Sequence, residues 1–289
     1  MTLKSKTALV TGSTSGIGLG IARALARDGA NVVLNGFGEA GAIEAARAAI
    51  ETEFDVRAHY SAADMSKPSE IGDMVRESEK RFGSVDVLVN NAGYGYLGAI
   101  EEGDAAEVRA MFDTDLFAPV ALIKAVLPGM RARRRGHIVN VSSIGGLVTY
   151  PGVGYYNMAK AGVEALTDAL AKEVRPLGIG ATVVAPGAFR TDFRSPDSMR
   201  FAERTTVDYA DTAGKARAGT QAGHRKQQGD PARGARVIIA AVEADDPPVH
   251  LLLGGDALDQ FRIKLDDMRR ETDAWEAQTR GTDFQAEAP

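Results

Sequence analysis

Short apolar runs rich in β-branched residues alternate with helical patterns along most of this chain, an order that few folds can use. The runs lie at 7–10, 31–34, 56–60, 85–89, 137–141, 179–184 and 249–253. They are nearly continuous, as strands buried on both faces should be. Between them stand helical patterns at 17–28, 40–53, 68–82, 104–132, 155–175 and 231–244. Strict β-α alternation implies a parallel sheet covered by helices on both sides. Right-handed crossovers then predict an α/β fold with a doubly wound parallel sheet of about seven strands. No repeat and no Gly/Ser/Pro-rich linker interrupts the first 185 residues, so residues 1–255 are expected to form a single catalytic domain.

Two stretches fall outside the alternation. Residues 187–229 are too long for an ordinary connection and are expected to form a lid with short helices of its own. Residues 256–289 form a C-terminal helical extension, in which Leu258, Phe261, Leu265, Met268, Thr272 and Trp275 recur at intervals of 3 and 4. Such spacing makes a narrow apolar helical stripe. Its plain reading is a tail packed on its own subunit; the sharper one is a subunit interface.

Several functions are disfavoured at this level. The formal net charge of −5 argues against a nucleic-acid surface. The chain has no cysteine, so disulfides, thiol nucleophiles and zinc-thiolate sites are excluded. Its four histidines, His59, His137, His224 and His250, lack ligand spacing, and no metal site is expected. The start runs directly into a strand pattern without a signal-peptide core. No apolar run approaches ~20 residues, the length needed to span a bilayer. A cytoplasmic protein with no membrane segment is the expectation.

Chemistry concentrates in a few motifs. Thr11-Gly12-Ser13-Thr14-Ser15-Gly16-Ile17-Gly18 joins the first strand to a helix. Glycines let backbone approach a pyrophosphate, and the helix N-terminus offers it free N–H groups. Tyr156 and Lys160 are four residues apart, so one helix carries both on one face. A phenol titrates near ~10, and an adjacent cation favours its phenolate. Ser143, thirteen residues before Tyr156, offers a hydroxyl to a substrate oxygen. Asn90-Asn91-Ala92-Gly93 closes the fourth strand, where amide and small side chains can hold strand ends and line an adenosine pocket.

Taken together, the glycine loop, Asn-Asn-Ala-Gly, Ser143, Tyr156 with Lys160, and Pro186-Gly187-Ala188-Phe189-Arg190-Thr191 resemble the short-chain dehydrogenase/reductase family over about residues 5–255. The resemblance implies a Rossmann-type fold and a nicotinamide cofactor. It implies that Tyr156 exchanges a proton with the substrate oxygen, and that Lys160 lowers the Tyr156 pKa and binds the nicotinamide ribose. Ser143 would hydrogen-bond the substrate oxygen and Thr191 the carboxamide, with Asp64 beside the adenine. Gly12, Ser15, Gly16, Ile17, Gly18, Gly36, Phe37, Asn91, Ala92, Gly93, Pro186 and Gly187 would complete the cofactor site. One position departs from the pattern: the family usually has Asn where this chain has Asp115, which keeps acceptor oxygens but loses an amide donor.

Cofactor preference is usually set after the second strand. Here Asn35-Gly36-Phe37-Gly38 and Ser15 offer no cation to a 2′-phosphate. A buried dianion without a cation is costly, so NAD is expected, with NADP as the alternative. Residues 3–93 resemble 3-hydroxybutyrate dehydrogenases, and residues 94–289 resemble a bacterial branch near the hydroxysteroid and retinol dehydrogenases. A chimera joined near Asn-Asn-Ala-Gly is one origin for that difference. The positions that hold a hydroxybutyrate carboxylate correspond to Gly95, Gly145 and Val153, whose side chains cannot do so. Tyr94, Tyr150, Phe189 and Phe193 would instead line an apolar pocket beside Gly145 and Val153.

The expected activity is an NAD(P)-dependent interconversion of secondary alcohol and ketone on an uncharged, fairly hydrophobic small molecule. The rival is a dinucleotide-binding regulator or scaffold, favoured only by Asp115. For assembly, the expectation is a homodimer through helices 104–132 and 155–175, with the tail covering the surface around the last strand.

Overall fold

The computed structural model describes residues 2–284. In chain order the elements begin β1 (Thr7–Val10), α1 (Gly16–Arg27), β2 (Asn31–Asn35), α2 (Ala40–Phe54), β3 (Ala58–Ser61), α3 (Pro68–Phe82), β4 (Val87–Asn90) and β5 (Gly95–Leu97). They continue with α4 (Ala105–Phe112), α5 (Ala118–Arg133), β6 (Gly136–Val141), α6 (Gly154–Val174), β7 (Ile179–Pro186), β8 (Met199–Phe201) and α7 (Lys215–Ala222). The last are α8 (Pro231–Glu243), β9 (His250–Leu253), α9 (Gly255–Ala274) and α10 (Glu276–Arg280). Seven strands form one parallel sheet in the order β3-β2-β1-β4-β6-β7-β9. The order reverses between β1 and β4, the switch point where ligands of such sheets bind.

Strand alternation explains the two cores. Ala8, Val10, Val32 and Leu34 face the layer holding Ile21 and Leu25 of α1 and Ile238 and Val242 of α8. Leu9 and Val33 face the other, with Met74 of α3, Val126 of α5 and Leu170 of α6. Leu25 is fully buried, and burying such a side chain stabilises by roughly 1.5–3 kcal/mol. α8 is started by Asp230, whose carboxylate accepts from the N–H groups of Ala232 and Arg233 at 2.8 and 3.3 Å, with Pro231 at its first position.

Three expectations change. The helical pattern at 104–132 is two helices joined by a π-helical turn over Asp113–Phe117. Apolar spacing continues across the break, so periodicity alone cannot reveal it. The stretch 187–229 carries α7 and short helical turns, and also β8, which pairs in parallel with β5 and ties the segment to the chain after Asn-Asn-Ala-Gly. The tail is helical, but does not lie over its own subunit. Among its described residues Ala257 alone is buried and every residue from Met268 to Phe284 is exposed; the helical expectation for 285–289 lies outside the described residues. Its contacts are confined to its first turns, where Asp256 accepts from Ala188 N–H at 2.8 Å and Gln260 accepts from the Tyr150 hydroxyl.

Candidate active site

The glycine loop is shaped by its neighbours. Gly12 and Gly16 adopt φ +60° and +59°, which side chains disfavour. A Cβ on Gly12 would stand 2.8 Å from Ala92 Cα, and one on Gly18 would stand 2.2 Å from the Gly12 carbonyl oxygen. Asn91 braces the loop: its amide donates to the carbonyls of Thr11 and Gly12 at 3.0 and 2.9 Å. The Thr11 hydroxyl in turn accepts from the N–H groups of Asn91 and Ala92, both at 3.0 Å. Ser15 opens α1 without a capping side-chain bond, so the first N–H groups of the helix face the loop.

The rest of the expected cofactor site surrounds this cradle unevenly. Gly36 approaches Thr14, whose hydroxyl donates to the Phe37 carbonyl at 2.8 Å, and the Phe37 ring is 70% exposed. Thr191 faces Gly16: a Cβ there would stand 3.5 Å from the threonine Cβ. Gly187 donates to Leu253 O at 2.8 Å, and Asp256 packs where a Cβ would project. Asp64 is engaged locally. It accepts from Ser66 N–H and Oγ at 2.9 and 2.8 Å and lies 3.6 Å from Lys67, and the backbone bond chiefly holds its carboxyl below the usual range.

Ser143, Tyr156 and Lys160 converge at the C-terminal ends of β4 and β6. Ser143 follows β6 and accepts from Gly145 N–H at 3.0 Å. Tyr156 lies nearby: a Cβ on Gly145 would stand 3.3 Å from the Ser143 hydroxyl and 3.5 Å from the Tyr156 ring. Lys160 Nζ lies 5.6 Å from the centre of the Tyr156 ring and donates to Val141 O at 3.4 Å. Asn157, between them in sequence, braces the adjoining loop. Its amide donates to Gly145 O at 2.7 Å, and its carbonyl accepts from Tyr150 N–H at 3.3 Å.

Asp115 is delivered by the π turn. Its Oδ1 accepts from Tyr94 N–H at 3.0 Å, and its Oδ2 stands 3.2 Å from Lys160 Nζ. Both side chains are almost fully buried. Burial pushes the Asp115 carboxyl up, opposed by the lysine charge. Burial alone would lower Lys160, but Asp115 and Tyr156 reverse that and raise it. Lys160 acts on the Tyr156 phenol in the expected direction, lowering its pKa, but does not set the balance. Burial raises the phenol, Lys160 only offsets this, and Asp115 adds to the rise.

The expected substrate residues divide. Phe193 joins the site, its ring 5.9 Å from that of Tyr156. Gly145 lies beside Ser143 and Tyr156, and Val153 is the residue before α6. Tyr150 is partly exposed and tied to Gln260. Tyr94 lies under the Arg200 guanidinium at 4.7 Å. Phe189 does not line a pocket: it is buried in the α1–α8 core, packed against Gly234 and Gly254. Sequence reasoning missed Arg200, Asp256 and Gln260, which carry no motif, and Asn157, whose place between Tyr156 and Lys160 was the available signal.

Comparison with known proteins agrees with this arrangement. The short chain dehydrogenase family model matches residues 6–200. The chain is 44% identical over 185 residues to the D-beta-hydroxybutyrate dehydrogenase of Cupriavidus necator, covering 64% of this chain and 71% of that one. It is 32% identical over 250 residues to the oxidoreductase BOA17 of Botryotinia fuckeliana, covering 86% and 89%. The crystal structure of a short-chain dehydrogenase from Streptomyces avermitilis superposes with a TM-score of 0.87 at 38% identity, covering 96% of this chain and 98% of the other. The family model and the Botryotinia and Streptomyces matches run across the junction near residue 93. The chain belongs to the short-chain dehydrogenase family, oxidoreductases that act on CH–OH groups with NAD or NADP.

Proposed function

We propose that this enzyme interconverts a secondary alcohol and a ketone on an uncharged, fairly hydrophobic substrate, with Tyr156 as acid/base and NAD preferred over NADP. The observation that carries the reading is the convergence on the Tyr156 ring of Lys160 at 5.6 Å and Phe193 at 5.9 Å, with Ser143 Oγ across the same glycine, Gly145. The residues fit a dinucleotide. Gly12 and Gly18 let the loop close tightly on Ala92 and Asn91, and Gly12 and Gly16 take left-handed φ, so the loop's backbone is presented next to the open first turn of α1. Ser15, Ile17, Gly36, Phe37, Asn91, Ala92, Gly93, Pro186, Gly187 and Thr191 would flank it, with Asp64 at its adenine end. When bound, the nicotinamide supplies or accepts the hydride.

Tyr156 and Ser143 do the remaining work. In reduction, the phenol O–H gives its proton to the carbonyl oxygen, which Ser143 orients by donating a hydrogen bond; oxidation runs the same path backwards. Lys160 holds positive charge near the resulting phenolate. The segment 187–229, carrying Phe193, acts as a lid.

The substrate reading rests on apolar lining. Met199 fills the space beside Gly95, and a Cβ at Gly145 would press on the Asn157 amide, so neither position leaves room for a carboxylate-binding side chain. One observation favours a second reading. Arg200 over Tyr94 could take the carboxylate of a 3-hydroxy acid, the substrate class named for the Cupriavidus relative. Initial rates on uncharged secondary alcohols and on 3-hydroxybutyrate, with each dinucleotide, decide between them. A higher kcat/KM for 3-hydroxybutyrate would overturn the first reading.

The exposed Phe117 and Met158, beside α5 and on α6, support a homodimer through those helices.

A further inference from the structure

We propose that α9 is an antiparallel pairing helix, whose apolar seam closes on the same seam of a second copy of this chain. The proposal is independent of the substrate reading and uses a different face from Phe117 and Met158.

The seam is Leu258, Phe261, Leu265, Met268, Thr272 and Trp275. Leu258, Leu265, Met268 and Trp275 are 38%, 49%, 50% and 64% exposed. Their intervals of 3 and 4 repeat every seven residues, the pattern of a two-helix seam; a helix facing a globular core shows a broader stripe. The helix spans twenty residues, about 30 Å at 1.5 Å each, and carries five of the six seam residues, with Trp275 at its C-terminal cap.

Antiparallel packing makes the seam its own complement. It sets Leu258 opposite Trp275, Phe261 opposite Thr272 and Leu265 opposite Met268, and the two-fold axis repeats each pair, as an isologous contact requires. Thr272 suits an apolar layer because its hydroxyl donates to the Met268 carbonyl at 2.8 Å.

Flanking charges select the direction. In a parallel pair, Lys264 would face Arg269 of the other copy, and Glu271 would face Glu276: like charges on both edges. In the antiparallel pair, Lys264 faces Glu271 twice. The other edge brings Arg262 near Arg269, and Arg269 is turned toward Asp273 of its own helix at 4.0 Å. The antiparallel arrangement therefore exchanges one set of repulsions for attractions.

The chain has no cysteine, so introduced thiols report cleanly. The double variant Phe261→Cys/Thr272→Cys is expected to form a covalent dimer under mild oxidation. Each single variant is expected to stay uncrosslinked, because identical positions lie about 16 Å apart along the paired helices. Added to the pairing through α5 and α6, this seam joins two dimers into a tetramer, so Leu265→Glu should halve the particle mass measured by light scattering on the full chain, with an unchanged circular dichroism spectrum. Crosslinking of either single variant would mean a parallel pair. An unaltered mass for Leu265→Glu together with no crosslink in the double variant would overturn the proposal, and would leave the seam to another partner or to solvent.

Discussion

The carboxylate of Asp115 stands 3.2 Å from the ammonium of Lys160, with both side chains almost fully buried. The pair sits beside Tyr156, and its two charges act on the phenol with opposite sign. A lysine whose charge is matched by a carboxylate stabilises a neighbouring phenolate less than an unmatched one does. Asp115→Asn should therefore preserve or raise the oxidation rate and move the alkaline rise of its pH profile to lower pH. Asp115 meets the Lys160 ammonium and the backbone N–H of Tyr94, and both remain in the variant. Asp115→Ala leaves the ammonium buried without a partner and should cost about 3–5 kcal/mol of stability. Rate profiles and denaturant titrations measure these effects. A large loss of rate in Asp115→Asn would show that the reaction depends on the carboxylate itself.

Tyr156→Phe removes the phenol hydroxyl beside Ser143 and leaves the glycine cradle untouched. Turnover should fall by about 100-fold or more, the usual contribution of a general acid/base. Dinucleotide binding, followed by calorimetry, should be nearly unchanged. Lys160→Ala should weaken both binding and rate. A Tyr156→Phe enzyme keeping a tenth of the parent rate would remove tyrosine from the acid/base role.

Much of the sheet is legible in the sequence because strands buried on both faces must be apolar. Thr7–Val10 and Ile179–Pro186 read as β-branched runs before any contact is known. The catalytic constellation is legible for a related reason, since Tyr156 and Lys160 share a helix face whatever surrounds them. What pairs with that face is legible only through the resemblance, which puts Asp115 where the usual Asn helps a relay to the lysine; the turn that delivers it is not. Asp115 reaches Lys160 only because a π turn interrupts the helix, and nothing in the apolar spacing marks that turn. Phe189 looks like a pocket residue by its place after Pro186-Gly187, but Gly234 and Gly254 open a slot for it in the core. The stripe on α9 reads correctly as a stripe, whereas its exposure depends on where the chain after β9 points.

Cofactor choice can be tested where the second strand ends. Phe37 is 70% exposed beside Gly36 and offers a 2′-phosphate no charge. Phe37→Arg would supply a planar cation suited to phosphate. NAD should bind the parent chain more tightly than NADP, and the substitution should narrow or invert that preference by at least about tenfold, or ~1.4 kcal/mol. Tighter NADP binding by the parent chain would contradict the assignment.

His137 gives the fold a defined acid limit. Its imidazole is buried in β6 and shares a 3.0 Å hydrogen bond with Thr182, and burial pushes its pKa from 6.5 down to about 4. Between those values the unfolded chain binds the proton and the folded chain resists it. Stability contributed by the neutral ring is therefore full above pH 6.5 and is lost as pH falls toward 4. At pH 5 the loss from this one group should be about 2 kcal/mol relative to neutral pH. His137→Gln keeps a polar group facing Thr182 but does not titrate. Its stability should be lower than that of the parent at pH 7, yet should fall by about 2 kcal/mol less between pH 7 and 5. Denaturant melts of both chains at the two pH values give the comparison. Equal losses in the two chains would mean that other groups set the acid limit.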